Sequence, residues 1–344
     1  MTLYLNTIVH ADALTFLRGL PDKCVQTCVT SPPYFGLRDY GVVGQIGMEA
    51  APAEYVAAIV NVFREVWRVL CDDGTLWLNL GDSYASSGKG GQSKRNRSAN
   101  WQPTCSNKGV TYSLPPKSRM MIPARVAIAL QDDGWVLRDE IVWSKPSVMP
   151  ESVTDRTTKA HEMIYMLAKQ SRYYYDAAAI AEPAQDWGNR DRSNGKYTSG
   201  IVPISGGKHH SLTGGNFSKK YAAAQPHHGG ESHRKPYLTR NKRSVWTINA
   251  EPFKGAHFAT FPPALITPCI LAGSPIGSVV LDPFMGSGTT ALVARYHGRQ
   301  YIGCELNAEY ITIAQERLRL PFEPRHTPVN DDVSDLPMFA AHTD

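Results

Sequence analysis

The chain has 344 residues, 42% of them hydrophobic and 19% charged, enough to bury a sizeable core in one large domain or two modest ones. Its net charge of +5 is only mildly basic, no apolar run approaches the ~20 residues that cross a bilayer, and the N-terminus carries no basic leader, so neither a membrane protein nor a secreted one is expected. The six cysteines stand apart without a Cys-x-x-Cys pair; this argues against a disulfide or zinc framework, leaves no metal site to expect, and fits a reduced cytoplasmic setting.

Taken in chain order, residues 6–10 read as a strand, 11–20 as a short helix and 25–30 as a second strand that stops at Thr30-Ser31-Pro32-Pro33-Tyr34. Val56, Ile59, Val60, Phe63, Val66 and Leu70 recur at a period near 3.6, which predicts a helix over 52–70. Asp72-Asp73-Gly74 is expected to close it before a strand at 75–80. A helix over 119–130 and strands at 137–143 and 163–168 follow. Periodicity then fails: residues 186–241 hold nine glycines and five histidines among Ser, Asn, Lys and Arg. A stretch of that length without pattern is usually functional or disordered. Pattern returns with helices at 262–272, 289–297 and 308–318 and strands at 278–281 and 301–304. Strands alternating with helices predict an α/β fold with a mostly parallel, doubly wound, Rossmann-like sheet interrupted by an irregular basic insertion. The expected divisions are a first half over 1–184, the insertion over 185–245, a second half over 246–320 and a loosely ordered tail over 321–344.

Charge is unevenly placed. Residues 83–119 carry seven Lys/Arg and no acid, and residues 185–245 carry eleven against three, so the remainder is net acidic. Two basic segments on an acidic body suggest a polyanion partner. Arg190, Arg192, Arg234, Lys235, Arg240, Lys242 and Arg243 are the candidate contacts of the second segment. Lys89, Lys94, Arg95 and Arg97 form a first, mainly phosphate-facing group.

Near the C-terminus, Val279-Val280-Leu281-Asp282-Pro283-Phe284-Met285-Gly286-Ser287-Gly288-Thr289-Thr290 reads as strand, glycine turn and helix. Gly286 and Gly288 let backbone approach a ligand, and the free N–H groups of the helix starting at Thr289 favour an anionic group. No lysine follows, so this is not a Walker P-loop. Glu305 lies 23 residues after Asp282, at the end of the next strand, where an acid accepts hydrogen bonds from ribose hydroxyls. The stretch says nucleoside cofactor without choosing between a dinucleotide and S-adenosylmethionine.

Ser31 to Tyr34 follow a strand and so fall at the edge of the sheet where ligands sit. They offer a hydroxyl, carbonyls directed by proline rings and an aromatic face. That set suits a planar base with an exocyclic amine: acceptors from Ser31 and the Pro32 carbonyl favour a pyramidal nitrogen with its lone pair aimed at a methyl donor, and Tyr34 stacks on the extruded base. Positioning and electrostatics carry such a transfer. No strong base is needed, because the methylated ammonium is acidic.

Thr-Ser-Pro-Pro-Tyr followed far downstream by Asp-Pro-Phe-Met-Gly-Ser-Gly-Thr-Thr resembles the amino-methyltransferases of DNA in their circularly permuted beta arrangement, with catalytic tetrapeptide first, target-recognition region next and cofactor loop last. The resemblance spans about residues 3–320. It implies S-adenosyl-L-methionine as cofactor, double-stranded DNA as partner, Ser31, Pro32, Pro33 and Tyr34 as catalytic residues, and Asp282, Phe284, Gly286, Gly288, Thr289 and Glu305 around the cofactor. Residues 257–263 are similar to the family segment over the methionine part of the cofactor, which adds Phe261 and Pro262. Asp12, placed at the end of the first strand, matches the acid that contacts the cofactor adenine. Gly81-Asp82, Lys145 and His161-Glu162 fall at further family positions for which the residues alone supply no physical account. Members acting on cytosine N4 tend to begin the tetrapeptide with Ser and those acting on adenine N6 with Asp. The expectation is therefore cytosine N4, with adenine N6 as the alternative. A companion restriction endonuclease is a further implied partner; the sequence sets no oligomeric state. An NAD-dependent oxidoreductase would explain the glycine turn and Glu305 but leave Ser31 to Tyr34 and the basic segments without a task.

Overall fold

A computed structural model describes residues 5–37, 39–85, 114–184, 239–250 and 261–322. The first half runs β1 (Thr7–His10), α1 (Ala13–Arg18), β2 (Val25–Thr30), α2 (Pro52–Val69), β3 (Leu70–Leu80), α3 (Ile122–Asp132), β4 (Val136–Ser144) and β5 (His161–Ala168), followed by a 3-10 turn (Ala178–Ile180). Two short strands follow, β6 (Glu182–Pro183) and β7 (Thr239–Arg240), then β8 (Val245–Thr247), α4 (Pro263–Gly273), β9 (Val279–Asp282), α5 (Thr289–Tyr296), β10 (Gln300–Glu305) and α6 (Ala308–Arg319).

Eight strands form one sheet in the order β1-β10-β9-β2-β3-β5-β4-β8. Every pairing is parallel except those of β5, which runs antiparallel to both β3 and β4. Both faces are covered. Phe16 and Leu17 of α1, Tyr55, Ile59, Phe63 and Val66 of α2, and Val126 and Leu130 of α3 bury against one face. Leu265, Ile266 and Ile270 of α4, Leu292 and Val293 of α5 and Leu318 of α6 cover the other. Each of these large side chains is worth about 1.5–3 kcal/mol on burial, which is why the strands between them read as unbroken apolar runs rather than alternating ones.

By their internal contacts the residues divide into a body, Met1–Ile180 with Asn241–Asp344, and a second unit, Ala181–Arg240. Of the second unit the structure describes the antiparallel β6–β7 ladder, with Arg240 Nε 3.5 Å from Glu182 Oε2. The tail from residue 323 lies outside the described residues.

Beyond β8, an unexpected strand that starts at Val245 inside the expected insertion and joins the central sheet, two expected elements take a different form. Asp72-Asp73-Gly74 does not form a turn: α2 passes directly into β3 at Leu70. Lys23 pairs with Asp72 at 2.8 Å, Gln26 donates to Asp73 at 3.1 Å, and the buried Lys169 donates to the Leu70 carbonyl at 2.8 Å. These partners hold the acidic pair in extended backbone, and the β2–β3 register shifts there as a bulge. The third helix also starts late. Ile122 opens α3 with Pro123 next, and Arg119 stays outside it, donating to Asp82 at 2.6 Å.

Candidate active site

Four neighbouring strands deliver the site at their carboxyl ends. Ala11 and Asp12 follow β1, Ser31 and Pro33 follow β2, Pro283 to Ser287 follow β9, and Glu305 to Asn307 end β10, and all line one cleft. The 40–46 segment, Phe261 and Tyr310 of α6 close it from other sides. It is a cleft partly open to solvent, lined by both apolar and polar groups.

One end of the cleft is made of backbone. Gly286 has φ +51° and its N–H donates to Glu305 Oε2 at 2.8 Å, while Asn307 N–H donates to Oε1 at 2.9 Å. Two amides thus aim the carboxylate, and burial raises its pKa above the usual range for Glu. Gly288 caps α5 at φ +79°; a Cβ there would lie 2.8 Å from Ala314 Cβ, so only glycine lets α6 pack this closely. Arg317 of α6 braces the turn, donating to the Ser287 carbonyl at 2.7 Å and to Thr289 Oγ1 at 3.1 Å. Asp12 does not end β1, which stops at His10; it is the N-cap of α1, accepting from Thr15 N–H at 2.9 Å. The Thr15 side chain, and then its backbone N–H, lower its pKa.

Asp12, Phe261, Phe284, Gly286, Thr289 and Glu305 line the cleft, whereas Pro262, Asp282 and Gly288 are not among its lining residues. Pro262 is the buried N-cap of α4. Asp282, fully buried, accepts from Thr30 Oγ1 at 2.6 Å, Thr290 Oγ1 at 2.7 Å and Phe284 N–H at 3.0 Å. It ties the ends of β2 and β9 to α5. Burial dominates these bonds and pushes its pKa up to about 6.

The other end is a network of side chains. Ser31 Oγ donates to Tyr34 Oη at 3.3 Å, and Tyr34 Oη has Glu162 Oε2 at 2.9 Å and Asn79 Oδ1 at 3.0 Å. Burial, and then the charge of Glu162, raise the phenol pKa far above its usual value. Lys145 donates to Glu162 Oε1 and packs over the Trp143 ring at 4.0 Å. Tyr55 Oη holds the Pro33 carbonyl at 2.9 Å. A Cβ on Gly81 would lie 2.3 Å from the Tyr34 ring, so the ring rests on bare backbone. Asp82 accepts from the N–H groups of Met121 and Ile122 at the start of α3. Pro32 and Tyr34 lie beside the cleft lining rather than in it.

Of the basic candidates, Arg240 is in the second unit, Lys242 lies 5.2 Å from the Trp246 ring and Arg243 is exposed. Lys89, Lys94, Arg95, Arg97, Arg190, Arg192, Arg234 and Lys235 lie outside the described residues.

A family model for DNA methylases of the N6/N4 type matches residues 25–316, from the strand before the tetrapeptide to the helix after Glu305. The chain belongs to the N6/N4 DNA methylase family. Among its relatives, the Type II methyltransferase M.XycI of Xanthomonas campestris pv. cyanopsidis is 44% identical over 91% of this chain and 88% of that protein. M.Cfr9I of Citrobacter freundii is 42% identical over 91% and 87%. Among solved structures, the cytosine-N4-specific PvuII DNA methyltransferase shares the fold with a TM-score of 0.57 at 19% identity, over 92% of this chain and 87% of its own.

Several residues around this cleft were not singled out from sequence. Asn79 carried a signal, being a polar residue inside the apolar run Thr75-Leu76-Trp77-Leu78-Asn79-Leu80; its amide donates to the Met163 carbonyl at 3.1 Å, which turns Oδ1 toward Tyr34. Gly36, Gly41, Gly44 and Gly47 also carried one: all four have positive φ and shape the loop that brings Tyr40, Val42, Gln45 and Ile46 to the cleft. Gly303 carried none. A Cβ there would lie 2.2 Å from the Asp282 carbonyl oxygen, a contact visible only once β9 and β10 are paired.

Proposed function

We propose that this DNA methylase moves the methyl group of S-adenosyl-L-methionine to the exocyclic N4 of a cytosine flipped out of duplex DNA at a specific site. The observation that carries the reading is that Ser31, at the start of Ser-Pro-Pro-Tyr, lines the same cleft as Gly286 and Glu305. When bound, the cofactor supplies an electrophilic methyl on a sulfonium. Glu305, aimed by the amides of Gly286 and Asn307, accepts from ribose hydroxyls. Asp12 and Phe284 border the adenine side, and Phe261 covers the methionine side. Ser31 Oγ and the Pro32 carbonyl accept from the target amine and direct its lone pair toward the methyl group. Tyr34 stacks on the base. The proton released from the methylated nitrogen passes to solvent without a strong base.

Ser31 in place of an acid supports cytosine N4 over adenine N6. The basic segment over 185–245, with the Lys/Arg group near residues 89–97, serves as the target reader in this proposal. The two halves over 1–184 and 246–320 then supply the chemistry. The setting that follows is cytoplasmic, and a companion restriction endonuclease is the partner class implied. The test is to sequence the methylated bases in DNA from cells expressing the chain. N4-methylcytosine at one site supports the reading; N6-methyladenine turns it to the alternative; unmodified DNA refutes it. Deleting residues 190–240 should then abolish site-specific methylation while cofactor binding persists.

A further inference from the structure

Lys145 and Glu162 stand at family positions for which the sequence offered no task, yet they touch the phenol next to Ser31. A phenol has one proton to give. Around Tyr34 Oη stand two groups that accept toward it: Glu162 Oε2, and Asn79 Oδ1, whose amide nitrogen is committed to the Met163 carbonyl. The proton goes to one of these, so toward Ser31 the phenol oxygen can only accept. The Ser31 hydroxyl proton is thereby directed at Tyr34, and the remaining lone pairs of Ser31 Oγ turn to the cleft. Lys145 donates to Glu162 Oε1, which leaves Oε2 facing the phenol.

We propose that Glu162, anchored by Lys145, is a positioning residue that acts through the Tyr34 hydroxyl to fix Ser31 as a hydrogen-bond acceptor for the target amine. The inference rests on the amino-methyltransferase reading above. It also gives a serine the acceptor role an aspartate would have, and places any donor to the neighbouring ring nitrogen of the base on a residue other than Ser31.

The test is a double-mutant cycle on the full chain with duplex DNA and S-adenosylmethionine, read as single-turnover rate, DNA KM and cofactor Kd. Tyr34→Phe keeps the ring but frees the serine rotor. Glu162→Gln turns an amide donor toward the phenol oxygen, where it competes with the Ser31 hydroxyl for that oxygen's lone pairs. Each should lower the methyl-transfer rate roughly three- to tenfold, the worth of one buried hydrogen bond, with cofactor Kd and DNA KM unchanged. Together they should do no more than Tyr34→Phe alone, because Glu162 has no route to Ser31 without the hydroxyl. Two independent, multiplying losses would overturn the proposal and leave Glu162 a structural residue, as would a wild-type rate in Tyr34→Phe. If Glu162→Gln fails to bind cofactor, Lys145→Met replaces it in the cycle under the same criteria. A wild-type chain that transfers no methyl group to DNA would instead count against the reading on which the inference rests.

Discussion

The two ends of the cleft are built from different materials. The end proposed for the cofactor is backbone: a positive-φ turn at Gly286 and Gly288, two amides on Glu305, and a helix seated against the turn. The Ser-Pro-Pro-Tyr end is side chain: a chain of hydrogen bonds from Ser31 through Tyr34 to Glu162 and Lys145. Shape decides the first, so an added Cβ is its weak point. Direction decides the second, where volume-conserving changes that move one proton should do the damage. Asp282 joins them, bonded to Thr30 on one side and to Thr290 on the other.

Breaking the backbone end should have the largest effect. Gly286→Val forces a β-branched residue to φ +51° and puts a side chain into the cleft it lines; cofactor Kd by calorimetry should rise by about a hundredfold or more. Unchanged binding would move the pocket elsewhere.

The joint between the ends responds to pH. The folded pKa of Asp282, about 6, lies above its ordinary value of 3.8, so the folded protein holds a proton that the unfolded chain releases. Its contribution to stability is present below about pH 4 and is lost as pH rises through about 6, by up to about 3 kcal/mol in all. Asp282→Asn does not titrate. Its stability deficit in urea melts should therefore be largest near pH 4 and shrink by pH 7; a deficit that grows with pH would show the carboxylate to be stabilised by its hydroxyl partners instead.

At the side-chain end, Tyr34→Ala should lose about 1–3 kcal/mol of base stacking and slow methyl transfer, while cofactor Kd stays within twofold. Loss of cofactor binding in that variant would erase the distinction between the two ends. The smallest effect belongs outside the cleft. Arg243→Ala should weaken DNA binding evenly across sequences and reduce the salt slope of log K by about one unit; a change in target site would make Arg243 a base reader.

Much of this was legible in the sequence because it is local. The period of Val56, Ile59, Phe63 and Val66 gives α2 its buried face, and glycines directly after the apolar run ending at Asp282 mark a strand–turn–helix. The two signature motifs, far apart in the chain, were enough for the family. What the sequence could not determine is pairwise contact. Asp282, next to the glycine turn, read as a ligand residue, but it turns inward to two threonines that the fold brings from β2 and α5. Asp72-Asp73-Gly74 has the composition of a turn, and cross-strand partners held it extended. The antiparallel insertion of β5 between β3 and β4 has no local signature, since a buried strand reads the same in either direction. Nor could any spacing show that Tyr34 meets Asn79, Gly81 and Glu162. A hydrogen bond's direction is set by the acceptors around its donor, and those are assembled by the sheet rather than by neighbours in the chain.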